Sequence, residues 1–320
     1  MKRSLNKLTW LVSSLAIILL FTQCNTNEPA AVMSDRLAEV FNIASSNSIN
    51  RLSIDWGSLR EELTEQERTL GYESAVRMLL RTLGDNHSFY TFSGGRSISE
   101  SQVRCDGNAF NFTNLPGDIG YIQVNGFSGS TSEARDLANS IQQSIQQQDV
   151  PGLKGWVVDL SNNTGGNMYP MIAGLGPFYR QEVLGHFIDP LGTDVEWGFS
   201  SNGSFVQNNT NKVVQVNAPY SLQNADTKVA VIVSNRTASS GEATLISFIG
   251  RQNTLILGTA SCGLSTANSY FGLSNGDALI LTISTMADRD RNAFGGKIEP
   301  DELITSNEQM MQRVIQWFDD

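Results

Sequence analysis

Hydrophobic spacing divides the chain into a helical opening and a longer stretch of alternating strands and helices. From Val32 to about Leu83 apolar residues recur at helical intervals, in Asp35–Phe41, Trp56–Leu63 and Tyr72–Leu83, with Gly71 and Gly84 marking helix ends. Met33, Leu37 and Leu79 read as the core of this part. From about Phe89 the pattern turns strand-like. Gly120–Phe127 alternates as a strand, Thr131–Gln148 carries a helical apolar face through Ala134, Leu137, Ala138, Ile141 and Ile145, and Leu153–Leu160 is the next strand. Val229–Val233 is a short, wholly apolar run followed by a small-residue turn and the apolar stretch Ala243–Ile249. Leu255–Gly258 and Ala278–Ile283 are further strands, and Glu308–Phe318 a terminal helix. The polar, Gly- and Asn-rich segment 181–217 predicts a hairpin over the site. Alternating strand and helix units imply an α/β fold with neighbouring parallel strands.

The N-terminus changes the picture of where the protein resides. Lys2, Arg3 and Lys7 precede an apolar run, Leu8–Phe21, that is short for a membrane span and ends at Cys24. This is the pattern of a bacterial lipoprotein signal, with Cys24 acylated and residues 25–31 as a polar tether; Gln23 stands where a small residue is usual, and ordinary secretion is the alternative. The expected address is the cell envelope, with the protein held to the membrane by lipid and facing the periplasm or exterior. The chain carries 22 basic and 32 acidic residues, and without Lys2, Arg3 and Lys7 the balance is about −13. No basic patch with interleaved aromatics occurs, so nucleic acid is not an expected partner. With two histidines and three cysteines there is no His/Cys cluster for a metal, and no cofactor is expected. Cys105 and Cys262 either form a disulfide or remain two buried thiols.

Three short segments carry candidate chemistry. Thr237-Ala-Ser-Ser-Gly-Glu242 sits between the apolar run ending at Val233 and the helix after it. A serine there can stand above a sheet beside unpaired backbone N–H groups, a geometry suited to an acyl-transfer nucleophile; helix capping by Ser239 and Ser240 is the bland reading. Asp159-Leu-Ser-Asn-Asn-Thr-Gly-Gly166 ends a strand in paired glycines that can bring N–H groups up to an oxyanion, or can simply turn the chain. Gly84-Asp-Asn-His-Ser-Phe-Tyr90 holds His87, a better candidate base than His186, which lies within the long polar segment.

Taken together these segments resemble the serine peptidase family of tail-specific (C-terminal-processing) and tricorn-type proteases. Asp85-Asn-His-Ser-Phe89 is similar to that family's Asp-x-His-Ser/Thr segment, Gly120–Phe127 to its strand before the core, and Val158–Gly166 to its Asp-Leu-Arg-x-Asn-x-Gly-Gly turn. Thr237–Glu242 resembles the nucleophile turn, with Ser239 at the nucleophile's place. Gly258-Thr-Ala-Ser-Cys-Gly263 and Ile298-Glu-Pro-Asp301 match the last two landmarks, so the likeness runs in order over about residues 75 to 305. It implies a crotonase-like core with a small N-terminal helical cap. The implied division is signal peptide 1–24, tether 25–31, cap 32–88, peptidase-like core 89–305 and C-terminal helix 306–320.

The implied activity is that of a lipid-anchored serine endopeptidase acting on unstructured polypeptide. Ser239 is the nucleophile, His87 the base, and the N–H groups of Ser240 and of Gly165 or Gly166 bind the oxyanion; Glu242 is at most a secondary orienting group. The departures are specific. Leu264 stands where lysine-dependent members carry their lysine, Ser161 replaces the turn's arginine, and the acid that would orient His87 is open between Asp288, Asp290 and Glu299. About 30 residues between His87 and Gly120 leave no room for a peptide-binding PDZ module. The alternative is a peptide- or ligand-binding lipoprotein on the same fold without catalysis.

Overall fold

The computed structural model describes residues 32–180, 182–207 and 211–320. The signal segment, Cys24 and the tether lie outside the described residues. In chain order the elements are α1 (Asp35–Asn47), α2 (Trp56–Leu70), α3 (Tyr72–Leu83), β1 (Phe89–Thr91), β2 (Ser97–Ser99), β3 (Ile119–Gln123), α4 (Thr131–Gln148), β4 (Gly155–Asp159), α5 (Met168–Gly174), β5 (Glu182–Ile188), β6 (Asp194–Ser200), β7 (Gly203–Val206), β8 (Asn211–Gln215), β9 (Lys228–Val233), α6 (Ser240–Ile246), β10 (Thr254–Gly258), β11 (Thr266–Gly272), β12 (Ala278–Asp288), β13 (Glu302–Leu303) and α7 (Asn307–Asp319).

The fold is mixed α/β and built on two sheets. The first is parallel throughout, in the order β13-β10-β9-β4-β3. A parallel sheet is covered on both faces, which is why β4 and β9 read as unbroken apolar runs. Alternate residues serve opposite cores. Trp156, Val158, Val229, Val231 and Val233 face α4, α5 and α6, while Val157, Ala230 and Ile232 face α7 through Met310, Val314 and Phe318.

The second sheet is antiparallel, in the order β2-β1-β12-β5-β6-β7-β8. Its long strand β12 takes β1 and then β5 along one side and β11 along the other. Helices α1–α3 pack on this sheet, where Leu37, Leu63, Leu79 and Leu83 share a core with Tyr90, Leu279 and Leu281. Segment 181–217, expected to contain a hairpin, carries four strands among its described residues, β5 to β8, paired antiparallel in sequence. The Trp197 ring lies where a Cβ on Gly185 would stand (2.2 Å), and the Phe205 ring crowds Gly198 (2.9 Å), so large aromatics pack flat on bare backbone and ordinary strand periodicity is lost.

Candidate active site

The turn between β9 and α6 is pinned to the turn after β4 before any chemistry is considered. Ser234 Oγ donates to Ser161 O (2.6 Å), Thr237 Oγ1 donates to Leu160 O (2.9 Å), and Ala238 N–H donates to Asn163 O (2.9 Å). Ser239 follows with φ 52 and ψ −115, a backbone state rare for a residue with a side chain. Such conformations cost on the order of 1–3 kcal/mol and persist where the surroundings impose them. Ser239 is half-buried and lines a cleft with a volume of about 910 Å³.

The Gly165–Gly166 turn closes against it. Both glycines have positive φ (97 and 109). A Cβ on Gly165 would lie 2.8 Å from the Ser239 Cβ, and one on Gly166 would strike the Phe127 carbonyl, so glycine is required for the approach itself. Ser240 Oγ donates to Gly166 O (2.5 Å) and locks the two turns together. Of the three proposed oxyanion donors, Gly165 is already occupied, because its N–H donates to Asn163 Oδ1 (3.0 Å). The N–H groups of Gly166 and Ser240 donate to no group among the described residues, and both residues line the cleft.

His87 lines the same cleft, following the left-handed Gly84 that ends α3. Its loop is anchored by Asp85, whose carboxylate accepts from His87 N–H (2.8 Å), Ser88 N–H (2.6 Å) and Ser88 Oγ (2.6 Å). Asn268 Nδ2 donates to His87 O (3.0 Å). The ring's Nδ1 lies 2.8 Å from Thr266 Oγ1. Burial lowers the imidazole pKa to about 4, with the Asp85 charge opposing, so the ring is neutral at pH 7. No hydrogen bond joins His87 to Ser239 among the described residues; catalytic hydrogen bonds are commonly long in a free enzyme and tighten on the substrate.

None of the three acids considered as orienting groups touches His87. Asp288 is buried at the end of β12, where it accepts from Asp290 N–H and Asn292 N–H (2.9 Å each), and Asp290 and Glu299 are exposed. The ring partner is the hydroxyl of Thr266, 179 residues away in sequence. His186 is engaged elsewhere, with Nδ1 2.6 Å from Asp194 Oδ1. No residue of α1–α3 lines the cleft; its far wall is the antiparallel sheet, through Phe187, Val195, Val206, Ile280 and Met286.

Glu242 is the group the sequence reading undervalued. It is fully buried, and its carboxylate accepts four hydrogen bonds. Oε2 takes Ser239 N–H (2.8 Å) and Leu264 N–H (2.9 Å), while Oε1 takes Ser261 Oγ (2.6 Å) and Gly263 N–H (2.8 Å). The pattern Ser239-x-x-Glu242 is that of a capping box, which was the available signal. Burial pushes the Glu242 pKa up to about 7 against the pull of those four donors. Leu264 lines the cleft, so no lysine stands at this place.

The 261–264 loop is fastened from outside as well. Cys105 and Cys262 form a disulfide, and Cys262 N–H donates to Thr237 O (2.9 Å). The bridge spans 157 residues of chain, and cross-links over long loops stabilise by about 2–4 kcal/mol. Reduction is therefore expected to lower the melting temperature by roughly 5 °C or more and to slow hydrolysis. Scanning calorimetry with and without dithiothreitol, with the Cys105→Ser/Cys262→Ser double variant as control, checks this; an unchanged melting temperature would show that the bridge does not hold the loop.

With this geometry in view, comparison with known proteins is decisive for the family. The family model for peptidase family S41 matches residues 118–304. The chain belongs to peptidase family S41. The match contains Gly165, Gly166, Ser239 and Ser240; His87 lies before it, so its place in the site rests on the cleft it shares with Ser239. The nisin-resistance protein of Lactococcus lactis subsp. lactis is 30% identical over 209 residues, 63% of this chain and 61% of that protein. The carboxyl-terminal-processing protease of Synechocystis sp. is 24% identical over 189 residues, 58% of this chain and 38% of that one. The chain thus spans about three fifths and two fifths of the lengths of these two relatives. Among solved structures, a lipoprotein from Streptococcus agalactiae superposes with a TM-score of 0.68 at 22% identity, covering 88% of this chain and 95% of that one. The photosystem II D1 C-terminal processing protease gives 0.57 at 14% identity, covering 86% and 94%. These two share the fold.

Proposed function

We propose that the protein is a serine endopeptidase of the cell envelope that cleaves unstructured polypeptide. The observation that carries this reading is that Ser239, on a strained turn, shares one cleft with a neutral histidine and with the unengaged N–H groups of Gly166 and Ser240. His87 Nδ1 pairs with Thr266 Oγ1 (2.8 Å), and the tautomer this mechanism requires is the one in which Nδ1–H donates to that hydroxyl, so that Nε2 accepts the Ser239 proton. Ser239 Oγ attacks the peptide carbonyl, and the oxyanion is held by Gly166 and Ser240 N–H. The protonated His87 then gives its proton to the leaving amine, and water hydrolyses the acyl-enzyme by the same route in reverse. Gly165, the remaining donor considered, shapes the turn. The core on which this happens is crotonase-like, with residues 32–88 as its helical cap.

A nisin-resistance protein among the relatives supports an address at the cell envelope. The test is hydrolysis of unfolded casein by the purified chain lacking residues 1–24, with Ser239→Ala alongside. Cleavage persisting in that variant removes Ser239 from the mechanism. The second reading, a peptide-binding lipoprotein without catalysis, is favoured by Leu264 at the lysine's place; binding of casein with no cleavage would select it.

The anchor belongs to the same proposal. Cys24 is lipidated and the mature chain starts there, so metabolic labelling with palmitate should mark the wild type and fall to background in Cys24→Ser. Labelling that survives this substitution rules the anchor out.

A further inference from the structure

Each edge of the two sheets is blunted except one. At β3 the Gln148 side chain closes the ladder, accepting from Tyr121 N–H (2.9 Å) and donating to Tyr121 O (3.1 Å). Strand β2 has three residues and β13 two, too short to template another chain, and β8 carries Lys212. Strand β11, Thr266–Gly272, is different. It has seven residues, pairs among the described residues with β12 alone, in regular register from Asn268 onward after a shift at Ala267/Asn268, contains no charge and no proline, and exposes Tyr270 (74%). Long uncharged edges invite edge-to-edge pairing, and proteins ordinarily block them.

This edge borders the active site. Thr266, Ala267, Asn268 and Ser269 line the cleft together with Ser239 and His87. Thr266 at its start holds the His87 ring, and Asn268 is committed to the His87 carbonyl and to Thr282 Oγ1. What β11 can offer a ligand along its outer side is therefore its main chain. In an antiparallel pair one row of N–H and C=O groups goes to the partner strand, here β12, and the alternate row points away.

We propose that β11 is the strand on which substrate is read: an extended polypeptide adds to its free edge by main-chain hydrogen bonds and is thereby delivered to Ser239. The inference rests on the peptidase reading above and adds to it the mode of recognition. Thr266 N–H is already taken by Leu264 O (2.8 Å) and the register shifts between Ala267 and Asn268, so the regular free run is Asn268–Gly272, five residues at about 3.3 Å each or roughly 17 Å of edge, enough to register about five residues of substrate. Alternate substrate side chains then face the apolar wall formed by Val195, Val206, Ile280 and Met286, and the rest face solvent. Main-chain reading of this kind selects for an extended, hydrogen-bonding backbone and tolerates varied side chains, as a peptidase of unfolded chains requires. It excludes proline and N-methylated residues at every second position.

The test uses the full chain carrying Ser239→Ala with oxidised insulin B chain as probe, followed by hydrogen exchange and mass spectrometry. Outward amides of 268–272 are expected to exchange about tenfold or more slowly when the B chain is bound, with β2 and β8 unchanged. With the wild-type protein, B chains N-methylated at single residues around the cleavage site should lose about tenfold in kcat/KM at alternate positions, the side chains being unaltered. B chain that is bound by the variant and hydrolysed by the wild type, with no slowing in 268–272, overturns strand addition and leaves the peptidase reading standing. Slowing that appears without peptide and grows with protein concentration assigns the edge to a second copy of the chain and also overturns it. Neither binding nor hydrolysis overturns both readings together.

Discussion

Replacing Ser239 by alanine is expected to reduce peptide hydrolysis by on the order of 10⁴-fold or more, and His87→Ala by nearly as much, while the double variant loses little beyond either. The reason for the non-additivity is geometric. Under the proposed mechanism the serine hydroxyl without His87 would have no acceptor for its proton, and His87 without the hydroxyl would have nothing to activate, so each single loss would disable the same step. The fold should survive both changes. Ser239 occupies a half-exposed turn whose conformation is imposed by Asn163, Glu242 and Ala243 through backbone contacts, and alanine keeps all of them. Thr266→Val should weaken catalysis less, because it removes only the hydroxyl paired with His87 Nδ1. Steady-state rates on a fluorogenic peptide, with circular dichroism of each variant, check this. A variant with His87→Ala that retains wild-type kcat would assign the proton to another base.

The second large effect is expected at Glu242, which never meets the substrate. In Glu242→Gln one carboxylate oxygen becomes an NH₂ that faces two donors it cannot accept from, either Ser239 and Leu264 N–H or Ser261 Oγ and Gly263 N–H. The nucleophile turn and the 261–264 loop then lose their common anchor. A displacement of about 1 Å at the reacting atoms costs on the order of 10²-fold, which is the loss expected in kcat. In Glu242→Ala three buried N–H groups are left without partners at about 1–3 kcal/mol each, and a destabilisation of roughly 3–5 kcal/mol is expected.

The pH dependence follows from the same geometry. Protonating Glu242 turns an acceptor into a donor among four donors, so wild-type hydrolysis should rise with pH through about 7, a limb that Glu242→Gln lacks. For stability the signs oppose. The folded Glu242 binds its proton more tightly than the unfolded one, so its contribution falls as pH rises from about 4.5 to 7. The folded His87, with a pKa near 4 against 6.5 unfolded, binds its proton less tightly, so its contribution rises between about 4 and 6.5. Urea midpoints of the wild type should be nearly flat in this range, and Glu242→Gln should uncover the rising limb. A midpoint for that variant that falls with pH would place the titration elsewhere.

How far the sequence disclosed this site depends on the physical source of each signal. The strand-turn-helix units around Gly166 and Ser239 were legible because buried parallel strands must be apolar along their whole length and end in small residues. Helix α4 was legible to the residue because its face and its capping residues agree. Strands β5–β8 were hidden by glycines serving as platforms for Trp197 and Phe205. Strand β11, Thr-Ala-Asn-Ser-Tyr-Phe-Gly, was invisible because an edge strand beside a wet cleft needs no apolar alternation. The partner of His87 and the four donors on Glu242 come from loops far apart in sequence, and periodicity carries no record of such meetings. The same is true of Cys105 and Cys262, which composition left open and spatial proximity joins.

Covalent trapping probes whether Ser239 is a nucleophile activated by His87. The purified chain is treated with a fluorophosphonate at pH 8, and the adduct is located by peptide mass spectrometry. The account predicts a single stoichiometric adduct on Ser239, with its rate of formation greatly reduced in His87→Ala. An unmodified Ser239 under conditions that label other serine peptidases, or an adduct whose rate is indifferent to His87, would contradict it.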